Sequence, residues 1–241
     1  MRAETRHQLK EDRFSRATLQ AAEITAHWTV EHRSKLIVAG IVAVLVAAAL
    51  AGGWYYLNQQ DQKASLELNL GVRVLDAPLR NPGEPAQPDF PSFTSSKERS
   101  TEARKRFQAI VDKYPHTRSA DIARYFVART SADLGDNAAA ERDLRQVASS
   151  GDSNLASMAK FALAAVYRDT NRNKEALDVY KQLMDKPTDT VGKAAAELEM
   201  AATYEAMQQP DEAKRIYQQV QKDNPSTEAA EVAGAKLAQL K

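Results

Sequence analysis

The 241-residue sequence predicts an all-α protein in which one transmembrane helix precedes a stack of helix pairs. Two observations carry this prediction. Residues 36–57 form a run of 22 amino acids without a charge. Beyond residue 97, an alanine followed four residues later by a large side chain recurs at intervals of 36 or 37 residues. Together they indicate an α-solenoid that is tethered to a membrane.

The composition excludes several kinds of chemistry. The net charge of +1 gives no general attraction to nucleic acid. The absence of cysteine excludes disulfides, thiolate metal sites and a cysteine nucleophile. The histidines are scattered and no two are four residues apart, so no helix face offers a metal pair. Because phosphate-loop and nucleophile-elbow motifs are also missing, we expect no catalytic site, metal or cofactor.

Residues 1–34 are expected to form a cytoplasmic tail with an amphipathic helix. Apolar residues recur there at spacings of three and four, which places them on one helix face. They are Phe14, Ala17, Ala21, Ile24 and Trp28. Acidic residues offset the arginines, so a basic membrane-surface helix is not predicted. Two interpretations remain: a docking helix for a partner, or a partly ordered tail that leads into the membrane.

Residues 35–57 are predicted to be the transmembrane helix. Its 22 uncharged residues measure about 33 Å, enough to cross a hydrocarbon core of about 30 Å. Trp54, Tyr55 and Tyr56 stand at the far end, where aromatic rings favour the headgroup layer. Residues 1–35 hold seven Lys/Arg and residues 58–80 hold three. The positive-inside rule therefore predicts a cytoplasmic N-terminus and an external repeat domain.

A cleaved signal peptide is the competing interpretation of the apolar segment. The sequence "ALA" at residues 49–51 resembles a cleavage site. The long charged stretch before the segment and the apolar "WYYL" after that site favour an uncleaved anchor. A buried core helix fits poorly with so many uncharged residues in a row.

Two segments connect the anchor to the repeats. Residues 58–76 show both strand and helix periodicity, and we predict a helix because no partner strand is in sight. Residues 77–96 contain five of the nine prolines, which predicts an extended linker able to reach roughly 60 Å. Phe90 and Phe93 are expected to anchor this linker on the folded domain, or alternatively on a partner.

Residues 97–241 are predicted to form the repeat domain. Small residues let two helices approach closely, and the large residue one turn later fills the space between units. The small residues are Ala128, Ala164 and Ala201 in first helices, and Ala103, Ala140, Ala176 and Ala213 in second helices. Full copies are expected at about 119–149, 154–186 and 190–223, with a half copy at 97–114 and a closing helix at 227–240. The helix at 61–76 is the candidate for the first helix that the half copy lacks, and Ala238 stands in the place of Ala128.

This pattern resembles the tetratricopeptide repeat. The paired alanines, the first-helix Tyr167 and Tyr204, and the trailing Pro115 and Pro225 match it, and Gly135 matches its turn glycine. Asn171 and Gln208 replace that glycine in the later copies. Arg124, Lys160 and Glu197 replace the usual tryptophan. The family implies a protein-binding solenoid.

The layout of tail, single span and external repeats resembles the ancillary subunits of the bacterial Sec translocon. The joint "YPHTRSADIARYFVA" at residues 114–128 is similar to one found in that family and in related envelope proteins. The resemblance implies a single-pass protein of the bacterial inner membrane with a periplasmic repeat domain. It further implies that this domain binds exported polypeptide and contacts the translocon or periplasmic chaperones.

First helices line the concave face in this repeat class, so the resemblance places the candidate protein-binding residues there. They are Ile122, Tyr125, Arg129, Met158, Phe161, Arg168, Leu198 and Glu205. Tyr125, Phe161 and Leu198 occupy equivalent places and predict either an apolar ladder for a bound segment or inter-repeat core. Lysines that clamp a C-terminal carboxylate in relatives are missing at those places. Two functions remain: an interaction module that assists export or folding of envelope polypeptides, and a structural adaptor for envelope assembly or division machinery.

Overall fold

The computed structural model describes residues 32–81, 83 and 91–240, and these residues are all-α apart from one isolated β-bridge. We number the described helices along the chain. They are α1 Arg33–Leu75, α2 Ser96–Lys113, α3 Arg118–Asp133, α4 Asn137–Ala148, α5 Ser153–Asp169, α6 Asn173–Asp185, α7 Lys193–Ala206, α8 Pro210–Asp223 and α9 Glu228–Gln239. The amphipathic helix predicted over residues 14–28 lies outside the described residues.

The chain divides into two units, residues 1–56 and residues 57–241. Apart from His32, the described part of the first unit belongs to α1. Its most apolar stretch has a mean hydropathy of 2.6 and is long enough to cross a membrane by length and composition. None of that stretch is buried, so it is not a core helix of this fold. By its length and composition, this apolar helix could serve as a membrane anchor or as a signal sequence.

The second unit begins with the last turns of α1, which pack like a first helix against α2 and α3. Residues 58–75 are helical, and Ala64 and Val74 enter a core cluster with Ala103 and Phe107 of α2. Polar contacts reinforce this packing. Glu67 accepts hydrogen bonds from Lys113 Nζ and the Tyr114 hydroxyl, both at 2.8 Å. The end of α1 thus supplies the first helix that the half copy at 97–114 lacks.

The two ends of the proline-rich connection lie much closer together than its fully extended length would allow. Leu79 and Phe93 form a parallel β-bridge, in which Arg80 N donates to Phe93 O at 2.9 Å. Phe93 also packs on the core cluster of α1, α2 and α3. The two ends of the connection therefore lie together, and Phe93 anchors it in cis. Phe90 lies outside the described residues.

Helices α3 to α8 form three helix pairs that match the repeat frame. The small residues of that frame are completely buried, with 0% exposure for Ala128, Ala140, Ala164, Ala176, Ala201 and Ala213. The large residues that follow fill the same core, because Leu144, Tyr180 and Tyr217 are at most 1% exposed. Close helix contact at the alanines and space-filling by the next turn are thus both observed.

The turn inside each pair adopts the same left-handed backbone conformation. Gly135, Asn171 and Gln208 have φ angles of 83°, 60° and 58°. Glycine takes this conformation freely, asparagine tolerates it, and other residues do so at a cost. The turn position of the repeat therefore requires a left-handed backbone, and this chain adopts it with asparagine and glutamine as well as with glycine.

The closing helix α9 differs from the prediction at one position. Ala233, which corresponds to Ala123 of α3, is fully buried, but Ala238 is exposed. In the three full pairs, the alanine at this position is buried because the second helix of the pair covers it. No described helix covers Ala238 in this way, so it is not a core residue.

Candidate functional site

The candidate residues lie on α3, α5 and α7, the first helices of successive pairs. Their exposure differs from one residue to the next. Arg129 is exposed and Tyr125 is buried, whereas the others are half-buried: Ile122, Met158, Phe161, Arg168, Leu198 and Glu205. The structure therefore places a partly accessible strip on these helices, centred on α5 and α7.

Tyr125 is the least accessible of the three equivalent residues that were expected to form a ladder. Only 6% of it is exposed, and its ring packs edge-on against Phe126 with the centroids 5.5 Å apart. The Arg129 guanidinium lies 6.0 Å from the ring centroid. Tyr125 also belongs to the core cluster that includes Ala140 and Leu144 of α4, so this rung of the ladder is part of the core in the free domain.

Phe161 and Leu198 keep accessible surface, although both also touch the core. The Phe161 ring meets Tyr180 of α6 edge-to-face, with 5.8 Å between centroids. Met158 and Leu198 pack on the same core cluster and remain half-buried. Such residues keep one side anchored while the other is available to a partner. The accessible apolar strip therefore consists of Met158, Phe161 and Leu198.

Two of the candidate residues, Arg168 and Glu205, form short hydrogen bonds. Arg168 of α5 donates to Glu199 of α7 at 2.5 Å, which links the first helices of adjacent repeats. The Tyr217 hydroxyl donates to Glu205 at 2.5 Å. Burial raises the pKa of Tyr217 above its ordinary value, and the hydrogen bond to Glu205 raises it further. The phenol is therefore a stable donor at neutral pH, and it holds the Glu205 carboxylate in place.

Glu199 is the member of these pairs that the sequence analysis missed. Its repeat equivalents are Phe126 and Ala162, both half-buried on first helices. A comparison of equivalent places could therefore have assigned Glu199 to the same face. Its pairing with Arg168 depends on how close α5 and α7 lie, which one sequence does not reveal.

The place usually held by tryptophan is charged in all three pairs, and the structure shows what each charge does there. Glu197 is only 3% exposed and pairs with Lys193, four residues earlier, at 3.4 Å. Arg124 faces Asp121, three residues earlier, while burial raises the pKa of that carboxyl. Lys160 instead opens onto a cavity between α5 and α6.

Two further observations on the described residues concern metal binding and a second groove. In the described residues, no group of three or more His, Asp or Glu side chains is arranged to hold a metal ion. A second groove, between α2 and α4, has a rim of opposite charges, in which Arg104 approaches Asp136 to 3.9 Å.

Comparisons with protein families identify the repeat. The tetratricopeptide repeat-like domain matches residues 26–182, and the tetratricopeptide repeat matches residues 195–227. The first match covers more than half of the chain. No curated protein matches the sequence.

Solved structures share the fold at low sequence identity. One is a Podosopora anserina protein named as a kinesin light chain, with nearly identical TPR-like repeats. It has a TM-score of 0.55 and 17% identity, over 74% of this chain and 85% of that one. A single-residue variant of the same protein has a TM-score of 0.55 and 18% identity, over 74% and 84% of the two chains. At this identity the likeness concerns the fold alone.

Proposed function

Because the chain belongs to the tetratricopeptide repeat-like domain family, we propose that it is a membrane-anchored module that binds polypeptides. Tetratricopeptide repeat domains mediate protein–protein interactions, and this scaffold is typically non-catalytic. The observation that carries the proposal is the half-buried apolar strip of Met158, Phe161 and Leu198 on adjacent first helices. A half-buried apolar strip favours contact with an apolar segment of another chain.

The proposed location is the outer face of a bacterial inner membrane. The exposed apolar part of α1 supports an uncleaved anchor, and the basic residues before it favour a cytoplasmic N-terminus. The repeat domain would then lie in the periplasm and meet polypeptides as they are exported or folded. The resemblance to ancillary subunits of the Sec translocon makes the translocon and periplasmic chaperones the first partners to test.

A structural adaptor is the second candidate, and the burial of Tyr125 favours it. With Tyr125 in the core, α3 adds only the half-buried Ile122 to this face, so the strip is shorter than the expected ladder of three large residues. A shorter strip offers less apolar area to an extended client, since binding gains from apolar burial scale with area. An adaptor that joins envelope assembly or division components would use folded partners instead.

Paired methionine variants test the apolar strip. Met158→Ser changes the strip, and Met184→Ser on α6 is the matched control, because both methionines are half-buried against the same core. We combine Met158→Ser with Leu198→Ser in the full-length protein, reconstituted in nanodiscs, and measure binding to an unfolded model polypeptide. Losing most of the burial of two apolar side chains should weaken binding at least tenfold.

The outcomes separate the two candidates. If the double variant loses binding while Met184→Ser keeps it, and both keep their helical circular dichroism, the strip binds clients. If the double variant binds as well as the wild type, the client-binding function is wrong and the adaptor is favoured. In-cell photo-crosslinking from position 161 then identifies the partner, with position 184 as the control.

A further inference from the structure

The cavity beside Lys160 has the features of a small-ligand site that the protein-binding face does not use. It has a volume of about 320 Å³ and lies between the first half of α5, the last turn of α6 and the loop that follows. Ala156 and Leu183 form an apolar floor. The loop is fixed over the start of α5, because Thr190 Oγ1 donates to Asn154 O at 2.9 Å. The cavity is therefore held by a hydrogen-bonded frame.

Three polar side chains of the lining, those of Ser157, Lys160 and Lys186, have no hydrogen-bond or ion-pair partner in the part of the chain that the structure describes. Ser157 lines the cavity and is only 8% exposed, yet its hydroxyl makes no hydrogen bond to a described residue. Lys160 and Lys186 also line the cavity, and neither ammonium group is within ion-pair distance of a described carboxylate. The Ser157 hydroxyl is therefore open to the cavity and available to donate a hydrogen bond to a ligand.

The neighbouring repeats show what Lys160 lacks. At the equivalent places, Glu197 pairs with Lys193 at 3.4 Å, and Arg124 has Asp121 three residues earlier in its own helix, where the arginine charge acts on that carboxyl. The residues one turn before Lys160 are Ala156 and Ser157, which bring no opposite charge. The charged place in α5 thus faces a cavity and has no acidic residue one turn before it.

We propose that this cavity binds a monocarboxylate with a small aliphatic body. Two lysines and Asp185 line it, giving a net lining charge of +1, which matches one carboxylate better than a doubly charged phosphate. Lys160 and Lys186 pair with the carboxylate, and the Ser157 hydroxyl donates to it. The aliphatic part covers Ala156 and Leu183. A free small acid and the last residue of a polypeptide both carry this chemistry.

Binding is measured on the full-length protein in detergent by following the labelled methyl signals of Leu183. N-acetyl-leucine is the probe, and N-acetyl-leucinamide has the same body without the charge. Saturable shifts with the acid, and binding at least tenfold weaker with the amide, are expected. Equal shifts with both compounds would show that the lysines do not recognise the charge, and the proposal would fail. Inorganic phosphate binding as tightly as the acid would also overturn it.

Variants locate the site. Lys160→Met keeps the aliphatic stem and should weaken acid binding at least tenfold. Lys174→Met changes an exposed lysine of α6 outside the cavity and should have no effect. Ser157→Asp places a carboxylate three residues before Lys160, as Asp121 stands before Arg124. It should abolish acid binding without lowering the melting temperature. Unchanged binding in both Lys160→Met and Ser157→Asp would refute the site.

A peptide with a free C-terminal leucine and the free acid distinguish the two sources. Tighter binding of the peptide supports a polypeptide end, and tighter binding of N-acetyl-leucine supports a small acid. Both results retain the carboxylate assignment. Because the cavity shares no residue with the strip of Met158, Phe161 and Leu198, this site can fail while the proposed function stands, and the reverse also holds.

Discussion

Gly71 of α1 lies so close to Phe107 of α2 that an added Cβ atom would stand 2.6 Å from the ring. That ring is completely buried and stacks on Phe126 with a centroid distance of 4.8 Å, so it has no room to withdraw. The contact is therefore a place where α1 must carry glycine. It also explains why a helix interior contains a residue of low helix propensity.

Gly71→Ala should destabilise the repeat domain. Alanine improves helix propensity by about 1 kcal/mol, but overpacking a rigid core costs about 1–3 kcal/mol. Gly234→Ala in α9 is the control, because its Cβ would meet only the flexible end of Gln221. Urea unfolding followed by circular dichroism should show a loss for the first variant and none for the second. Equal changes would contradict the close contact.

Ala176→Leu should destabilise the domain by about 1–3 kcal/mol, because the added atoms enter a core position with 0% exposure. Ala138→Leu is the matched control. Ala138 lies in the first turn of α4 and is exposed, so leucine there adds atoms on the surface. Melting temperatures of the two variants provide the measurement. If both fall equally, the repeat frame is misassigned.

Glu141 should make stability depend on pH. Its carboxylate bridges Arg145 of α4 at 2.6 Å and Arg172, in the turn after α5, at 2.5 Å. The Arg172 hydrogen bond lowers the pKa of Glu141 below its ordinary 4.5. A lowered pKa stabilises the fold above the unfolded-state value, and this stabilisation is lost as the pH falls through the lower folded value.

Glu141→Gln should therefore lower the melting temperature at pH 7, and the gap to the wild type should close as the pH falls below about 4.5. Glu212→Gln is the control. Glu212 forms an exposed ion pair with Arg215, and such pairs contribute little. A gap for Glu141→Gln that stays constant from pH 7 to pH 3 would show that the carboxylate charge is not what stabilises the bridge.

The anchor prediction is tested by membrane fractionation. An uncleaved anchor predicts that the full-length protein stays with membranes after alkaline extraction. Protease added to spheroplasts should digest residues 58–241 and spare the tail. A soluble mature form beginning near Gly52 would establish a signal peptide instead. Replacing Ala49 and Ala51 by leucine is the control, since it removes the "ALA" site and should change nothing if no cleavage occurs.

The repeat domain could be predicted because the same pattern of small and large residues recurs along the sequence. Only a small residue fits where two helices touch closely, and this requirement recurs at Ala140, Ala176 and Ala213. The turn place was also predictable, and Asn171 and Gln208 hold it in the left-handed conformation expected for glycine. The helical state of residues 58–75 was uncertain, since leucine and valine fit both periodicities.

The candidate binding face was harder to predict because exposure is not a property of one helix. Tyr125, Phe161 and Leu198 share one place in the repeat, yet Tyr125 is buried in the core cluster while Phe161 and Leu198 are half-buried. Ala238 shows the same limit, since its burial would require a second helix. The cavity at Lys160 could not be predicted, because its lining joins side chains of α5, α6 and the following loop that are distant in the sequence.

Because Leu79 pairs with Phe93, the stability of the fold should depend little on the length of the segment between them. Once its two ends are pinned together, lengthening the segment between them costs only about 0.6 kcal/mol for each doubling. Insertions between residues 83 and 91 should thus be tolerated, and this is the position at which to place an epitope tag or a fluorescent reporter. The same freedom would let related chains differ widely in the length of this segment while keeping the register of every repeat.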